Sequence, residues 1–183
     1  MYSATGRSVE RLLNCVGGYL PMYGDYSTGM HQYVMPFMYG IGVSPYENIS
    51  ASSVDQAQNA DLVLMFGNSP ADNRMGGANV VWDYNTVREA GPEIIHIDYR
   101  LNETAAGYPS EWLPIRTGTD AALVAGIAHE LITNDWVDLD FLHKYCVGYD
   151  EETMPASAKG QNKSYHDYIM GLGYDKVEKT PEW

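Results

Sequence analysis

Apolar residues first fall into register at Val9, Leu12, Leu13 and Val16, a spacing that puts them on one face of a helix with Ser8 as its N-cap. Gly17 and Gly18 end that pattern. From there to about Ser50 neither a helical nor a strand period holds. The segment is crowded with glycine, proline and aromatic residues and reads as one long loop, a length usually reserved for function. Order resumes with a short helix over Ser53 to Ala60 and then DLVLMFG (61–67), a continuous apolar run of strand length that a parallel sheet would bury on both faces. GNSPAD turns the chain, and residues 77–90 predict a helix with Val80, Val81, Tyr84 and Val87 on one side. Gly91-Pro92 stops it, and EIIHID (93–98) is the next strand.

Strand, helix, strand is one βαβ unit, right-handed by the general rule. A third extended piece, EWLPIR (111–116), runs through TGTD (117–120) into a helix over 121–133, where Leu123, Val124, Ile127, Leu131 and Ile132 keep a period of 3.6. A further helix is expected over 137–146, an irregular polar tail over 148–160 and a short helix near 165–170. The expected class is α/β: an open, mainly parallel sheet with flanking helices, built from Rossmann-like βαβ units. Three divisions follow: 1–50, a helix and a long loop segment; 51–147, the α/β domain; and 148–183, an irregular tail. Both ends read as cuts, as if the piece were one domain of a larger protein.

In open α/β sheets, ligands bind beyond the carboxyl ends of the strands, and the three turns there are chemically loaded. After the first strand, Gly67 allows close approach of backbone to a ligand. Ser69, Asp72 and Asn73 offer hydrogen-bonding groups near a helix start, where N–H groups attract anions; an ordinary turn and N-cap would use the same residues. After the second strand stands Asp98, an acid placed to accept from a ribose diol or a purine edge, or to cap. After the third, Asp120 sits in the first turn of a helix, where capping alone would explain it. Its carboxylate also matches guanine, whose N1–H and N2–H are two parallel donors.

Charge narrows the partners. With 24 acidic and 11 basic side chains the net charge is −13, which repels a phosphate backbone, so nucleic acid is not an expected partner. No apolar run approaches the roughly 20 residues that span a bilayer, and the chain reads as soluble. Cys15 and Cys146 match no metal pattern and are expected as buried free thiols. His31, His96, His129, His143 and His166 show no ligand spacing and are expected in surface or packing roles, His96 inside the second strand. Met30, Met35 and Met38 are read as gap fillers. No GxGxxG follows a strand and no GxxxxGK[ST] loop is present, so neither a nicotinamide nor a P-loop enzyme is supported.

Six segments in order, GGYLPMYGDYST, VMPFMYG, LVLMFGNSPADNRMGG, IIHIDYR, EWLPIRTGTDAALVAGIAHELI and FLHKYCVGYDEETMPASA, together resemble the catalytic A subunit of the anaerobic dimethyl sulfoxide reductases, within the molybdopterin oxidoreductases. The resemblance covers nearly the whole chain. It implies a molybdenum bis(molybdopterin guanine dinucleotide) cofactor with Ser27 as the metal ligand and catalytic residue. It also implies cofactor contacts from Ser69, Pro70, Asp72 and Asn73, and from Ile97, Asp98, Arg100, Gly118, Thr119 and Asp120 around a guanosine end. Serine would supply a hard alkoxide suited to a high-valent metal. The sequence departs from the family pattern at Ser69, where the pattern has asparagine, and at Tyr99 and Thr117, where it has proline; Asp72, Asp98 and Asp120 are retained.

The resemblance further implies reduction of S-oxides or N-oxides by oxygen-atom transfer in anaerobic respiration, at the periplasmic or extracytoplasmic face. Electrons would come from an iron–sulfur subunit held by a membrane anchor subunit. The family's iron–sulfur cysteine cluster is not in these 183 residues and is expected in a parent protein. The alternative from another class is an α/β binding or assembly domain without metal.

Overall fold

The computed structural model describes residues 4–21, 29–39, 53–73, 79–107 and 110–183. The chain divides into two compact units, 1–52 and 53–183. In the first, α1 (Ala4–Cys15) starts before the expected Ser8, which lies within the helix instead of capping it. The helix ends where Gly17 and Gly18 take φ of 117° and 96° and the Gly18 N–H returns to the Leu13 carbonyl at 2.9 Å. The segment read as one long loop contains a second helix, α2 (Gly29–Tyr39), with Pro36 inside it. Proline and glycine hide such a helix from pattern reading: Pro36 has no N–H for the i−4 carbonyl, so local propensity argues against the conformation.

The second unit is built on three parallel strands in the order β1-β2-β3: β1 (Leu62–Phe66), β2 (Glu93–Asp98) and β3 (Glu111–Pro114). β2 is central, with Met65 opposite His96 on one side and Ile97 opposite Leu113 on the other. A 3-10 turn (Val54–Asn59) leads into β1, and α3 (Val80–Ala90) connects β1 to β2. Gly91 closes α3 at φ 92°, in the left-handed region that glycine enters without a Cβ penalty. α4 (Glu103–Ala106), α5 (Asp120–Thr133), α6 (Leu139–Tyr145) and α7 (Tyr165–Ile169) follow. The last two are capped by side chains: Asp138 accepts from the Phe141 N–H and Ser164 from the Asp167 N–H.

Alternation along the strands selects the core. Val63 and Met65 of β1 and Ile94 of β2 pack with Tyr84 of α3, whose Val87 is also buried. The helical face expected at Val80, Val81, Tyr84 and Val87 is thus the one that turns inward. β1 departs from the expectation of burial on both faces, because Leu62 and Leu64 remain about half exposed. It has a strand on one side only, and its other face carries less cover than the α3 side. The cysteines depart too: Cys15 is exposed at the end of α1 and Cys146 half-buried at the end of α6. Helix termini lie at the unit's surface, and a thiol there follows its backbone.

His96 lies inside β2, fully buried, with Nε2 3.0 Å from the Tyr84 hydroxyl and the two rings edge to face. Burial holds its pKa below the ordinary histidine value, so the imidazole is neutral. At the C-terminal end, Lys179 is buried with its ammonium 2.7 Å from Asp175, bonded to the Val177 carbonyl, and over the rings of Tyr168 and Trp183. Gly171 makes this end possible: a Cβ there would stand 2.7 Å from the Glu178 nitrogen. No described helix is long and apolar enough to cross a membrane.

Two outcomes follow from this packing. Tyr84→Phe leaves the buried His96 without its hydroxyl partner, and urea unfolding should show a loss of about 1–3 kcal/mol. His143 is raised above the ordinary histidine value, chiefly by its hydrogen bond to Asp150 at 2.7 Å. A raised histidine stabilises the fold fully below its unfolded value of about 6.5 and loses that contribution as pH rises through the folded value. The urea midpoint should therefore fall as pH rises above about 6.5, and fall less in His143→Gln; an unchanged slope in that variant would remove the assignment.

Candidate functional site

The carboxyl ends of all three strands open on one cleft of about 290 Å³, lined by Gly67, Ser69, Asn73, Ile97, Asp98, Tyr99, Arg100, Ile115, Thr117 and Asp120. Sequence reasoning named three separate turns, and parallel pairing brings them together. The Gly67 N–H bonds the Ile97 carbonyl at 2.9 Å, so the turn after β1 leaves from beside the end of β2. Gly67 takes φ 55°, with no described atom outside its chain neighbours within 4 Å of where a Cβ would stand.

Asp98 closes β2 and is 7 % exposed. Asn102 donates to its Oδ2 at 2.7 Å and the Arg100 N–H to its Oδ1 at 3.3 Å, while its main-chain oxygen accepts from Trp112 Nε1 at 3.1 Å. Both carboxylate oxygens already serve as braces. Asn102 is itself buried and uses its own oxygen to cap α4 through the Ala105 N–H at 2.9 Å. This role was not read from the sequence, although asparagine ahead of a Glu-Thr-Ala-Ala run is a cap signal.

A directional chain of hydrogen bonds joins the turn after β1 to α4. The Ala71 N–H donates to Thr104 Oγ1 at 3.0 Å, and the two hydroxyls of Thr104 and Ser69 meet at 2.9 Å. Ser69 Oγ donates to Asp72 Oδ2 at 2.7 Å. A hydroxyl has one hydrogen, so Thr104 must be the donor to Ser69. The same Asp72 oxygen pairs with the Arg100 guanidinium at 2.8 Å, and Arg100 also reaches Glu103 at 3.3 Å. Contact with Glu103, the bond from Ser69 and the charge of Arg100 hold the Asp72 carboxyl below the usual carboxylate value, against some burial.

The residues left open are different ones. Asp120 starts α5, yet no capping bond forms there, and its carboxylate has no hydrogen bond or ion pair with any described residue. Asn73, Thr117 and Tyr99 likewise line the cleft with side chains that make no described hydrogen bond, while the Asn73 N–H bonds the Ser69 carbonyl at 2.8 Å. Pro70 is buried beside Ser69. Gly118, at φ 82°, shapes the turn that Arg116 and Thr119 close by a bond from Thr119 Oγ1 to the Arg116 carbonyl at 2.7 Å. Thr119 faces another groove, between α5 and Pro181 and Trp183, that is mainly apolar. Ser27 lies outside the described residues. No described histidine, cysteine, aspartate or glutamate cluster could hold a metal ion.

Chemically, the cleft presents two carboxylates, one of them without a partner among the described residues, and a guanidinium already paired with Asp72 and Glu103. Such a surface suits a ligand edge made of hydrogen-bond donors better than a phosphate. A carboxylate such as that of Asp120 can accept two parallel N–H donors, and the amide of Asn73 and the hydroxyl of Thr117 can exchange hydrogen bonds with hydroxyl groups. On these grounds Asn102→Ala should cost about 1–3 kcal/mol by unbracing Asp98 and uncapping α4. Asp120→Asn should change stability by less than about 1 kcal/mol, only the helix-dipole contribution being lost. Chemical denaturation of both variants measures the contrast.

A molybdopterin oxidoreductase family model matches residues 1–162. The chain is 47 % identical over 176 residues to dimethyl sulfoxide reductase DmsA of Escherichia coli, covering 96 % of this chain and 21 % of that protein. It is 43 % identical over 176 residues to DmsA of Haemophilus influenzae, with the same coverage. It is 28 % identical over 188 residues to a trimethylamine-N-oxide reductase of Vibrio cholerae, over 96 % of this chain and 21 % of the relative. The chain thus spans about a fifth of the length of these relatives. With a model match over most of its residues, the chain belongs to the molybdopterin oxidoreductase family.

Proposed function

We propose that this chain forms part of a molybdenum-dependent reductase that removes oxygen from S-oxides or N-oxides. The observation that carries the reading is the Asp120 carboxylate, without a partner among the described residues, lining with Asn73 and Thr117 one cleft formed by all three strand ends. In a family whose cofactor is a molybdopterin, this cleft accepts the guanosine end of a bis(molybdopterin guanine dinucleotide). Asp120 receives the two N–H donors of guanine, and Asn73 and Thr117 are placed for ribose hydroxyls.

The remaining residues orient and support. Asp98 keeps its oxygens on Asn102 and the Arg100 N–H, so it holds the cleft wall and has lone pairs left for a sugar hydroxyl. The Ser69–Thr104 pair and the Asp72–Arg100 bridge fix the turn after β1 against α4. Gly67 and Gly118 let main chain approach the ligand. The bound molybdenum group would supply the two-electron oxygen-atom transfer. Ser27 is assigned as the protein ligand to the metal, on the family pattern of its segment.

The same reading assigns an iron–sulfur electron-transfer subunit and a membrane anchor subunit as partners, an iron–sulfur centre in the parent protein, and work in anaerobic respiration at the extracytoplasmic face. The enzyme containing this chain, produced anaerobically, should hold molybdenum and reduce dimethyl sulfoxide with a reduced viologen dye as donor. Ser27→Ala should abolish turnover with the fold intact by circular dichroism. Retained turnover would refute the ligand assignment. A folded, metal-free protein would favour a binding or assembly domain instead.

A further inference from the structure

Tyr99 follows the last residue of β2, lines the cleft, and leaves 61 % of its surface exposed. The exposure does not come from a loose turn. On one side Asp98 is held by Asn102, Trp112 and the Arg100 N–H. On the other, the Arg100 side chain is held by Asp72 and Glu103. The ring is carried on a braced backbone but touches no described aromatic ring and makes no described hydrogen bond. An aromatic side chain standing open at the wall of a polar cleft, on rigid support, offers a preorganised apolar face at low entropic cost. Gly67 lines the same cleft, and no described atom outside its chain neighbours lies within 4 Å of the position of a Cβ there.

We propose that Tyr99 is the stacking platform for the purine ring of the nucleotide end, an inference that rests on the nucleotide reading of the cleft given above. The two residues then divide the work. Every base has a π-face, so stacking on Tyr99 supplies affinity without choosing the base. Asp120 chooses, because its carboxylate pairs with the donor edge of guanine and repels the acceptor N1 of adenine. Proline in the family pattern at position 99 offers no π-face, so this aromatic contact is a feature that the tyrosine adds. Tyr99 is a positioning and specificity residue with no part in the oxygen transfer.

The test is binding of GDP and ADP to the 183-residue chain, followed by calorimetry and, for weak binding, by saturation-transfer NMR. The variants are Tyr99→Ala, Tyr99→Leu, Tyr99→Phe and Asp120→Asn. The chain should prefer GDP. Tyr99→Ala and Tyr99→Leu should weaken both nucleotides alike, by roughly 5- to 100-fold, the span of base–aromatic stacking on truncation. Tyr99→Phe should retain binding, and Asp120→Asn should erase the preference for GDP. Unchanged melting curves would separate lost stacking from lost fold. If GDP binds and Tyr99→Leu binds it equally well, the stacking role is overturned and the cleft assignment stands. If the chain binds neither nucleotide, both fall.

Discussion

A carboxylate taken out of water must have its lone pairs filled, and the arrangement around Asp98 answers that demand. Asn102 supplies one bond and in doing so is positioned to cap α4; the Arg100 N–H supplies another and sets the turn after β2. The Asp98 main-chain oxygen takes the indole N–H of Trp112, which ties β3 to the same point. Three neighbouring pieces of chain are registered against one buried acid. The cleft is the space they leave.

Around this brace the polar groups sort into two sets. Ser69, Thr104, Asp72 and Arg100 satisfy one another and lock the turn after β1 to α4. Asp120, Asn73, Thr117 and Tyr99 are left facing the cleft. Families of residues that look alike in a sequence thus do different work: one aspartate is a strut, a second an ion-pair partner, and a third an open acceptor. A braced rim that leaves a few side chains open suits the binding proposed for this cleft, because a preorganised frame lowers the entropy lost on association.

Much of the fold was legible in the chain. The bounds of β2, the stop at Gly91, the helix beginning at the TGTD turn and the inward face of α3 all follow from local rules of period and capping. What misled was equally local. Proline and glycine concealed α2, an apolar run suggested that β1 was buried on both faces, and Ser8 resembled a cap although α1 begins earlier. Asn102 and Thr104 went unread because their importance lies in partners 4 and 35 residues away, Asp98 and Ser69.

The sequence by itself determined the α/β order of elements, the three loaded turns, the net charge of −13, and the family resemblance carried by six segments. These depend on residue type and short spacing, which a linear string records. Only the tertiary structure decided which acid lacks a partner among the described residues. Whether a carboxylate is braced, paired or open is set by what parallel strand pairing brings beside it from distant positions, and so Asp98 became a support and Asp120 the acceptor left facing the cleft.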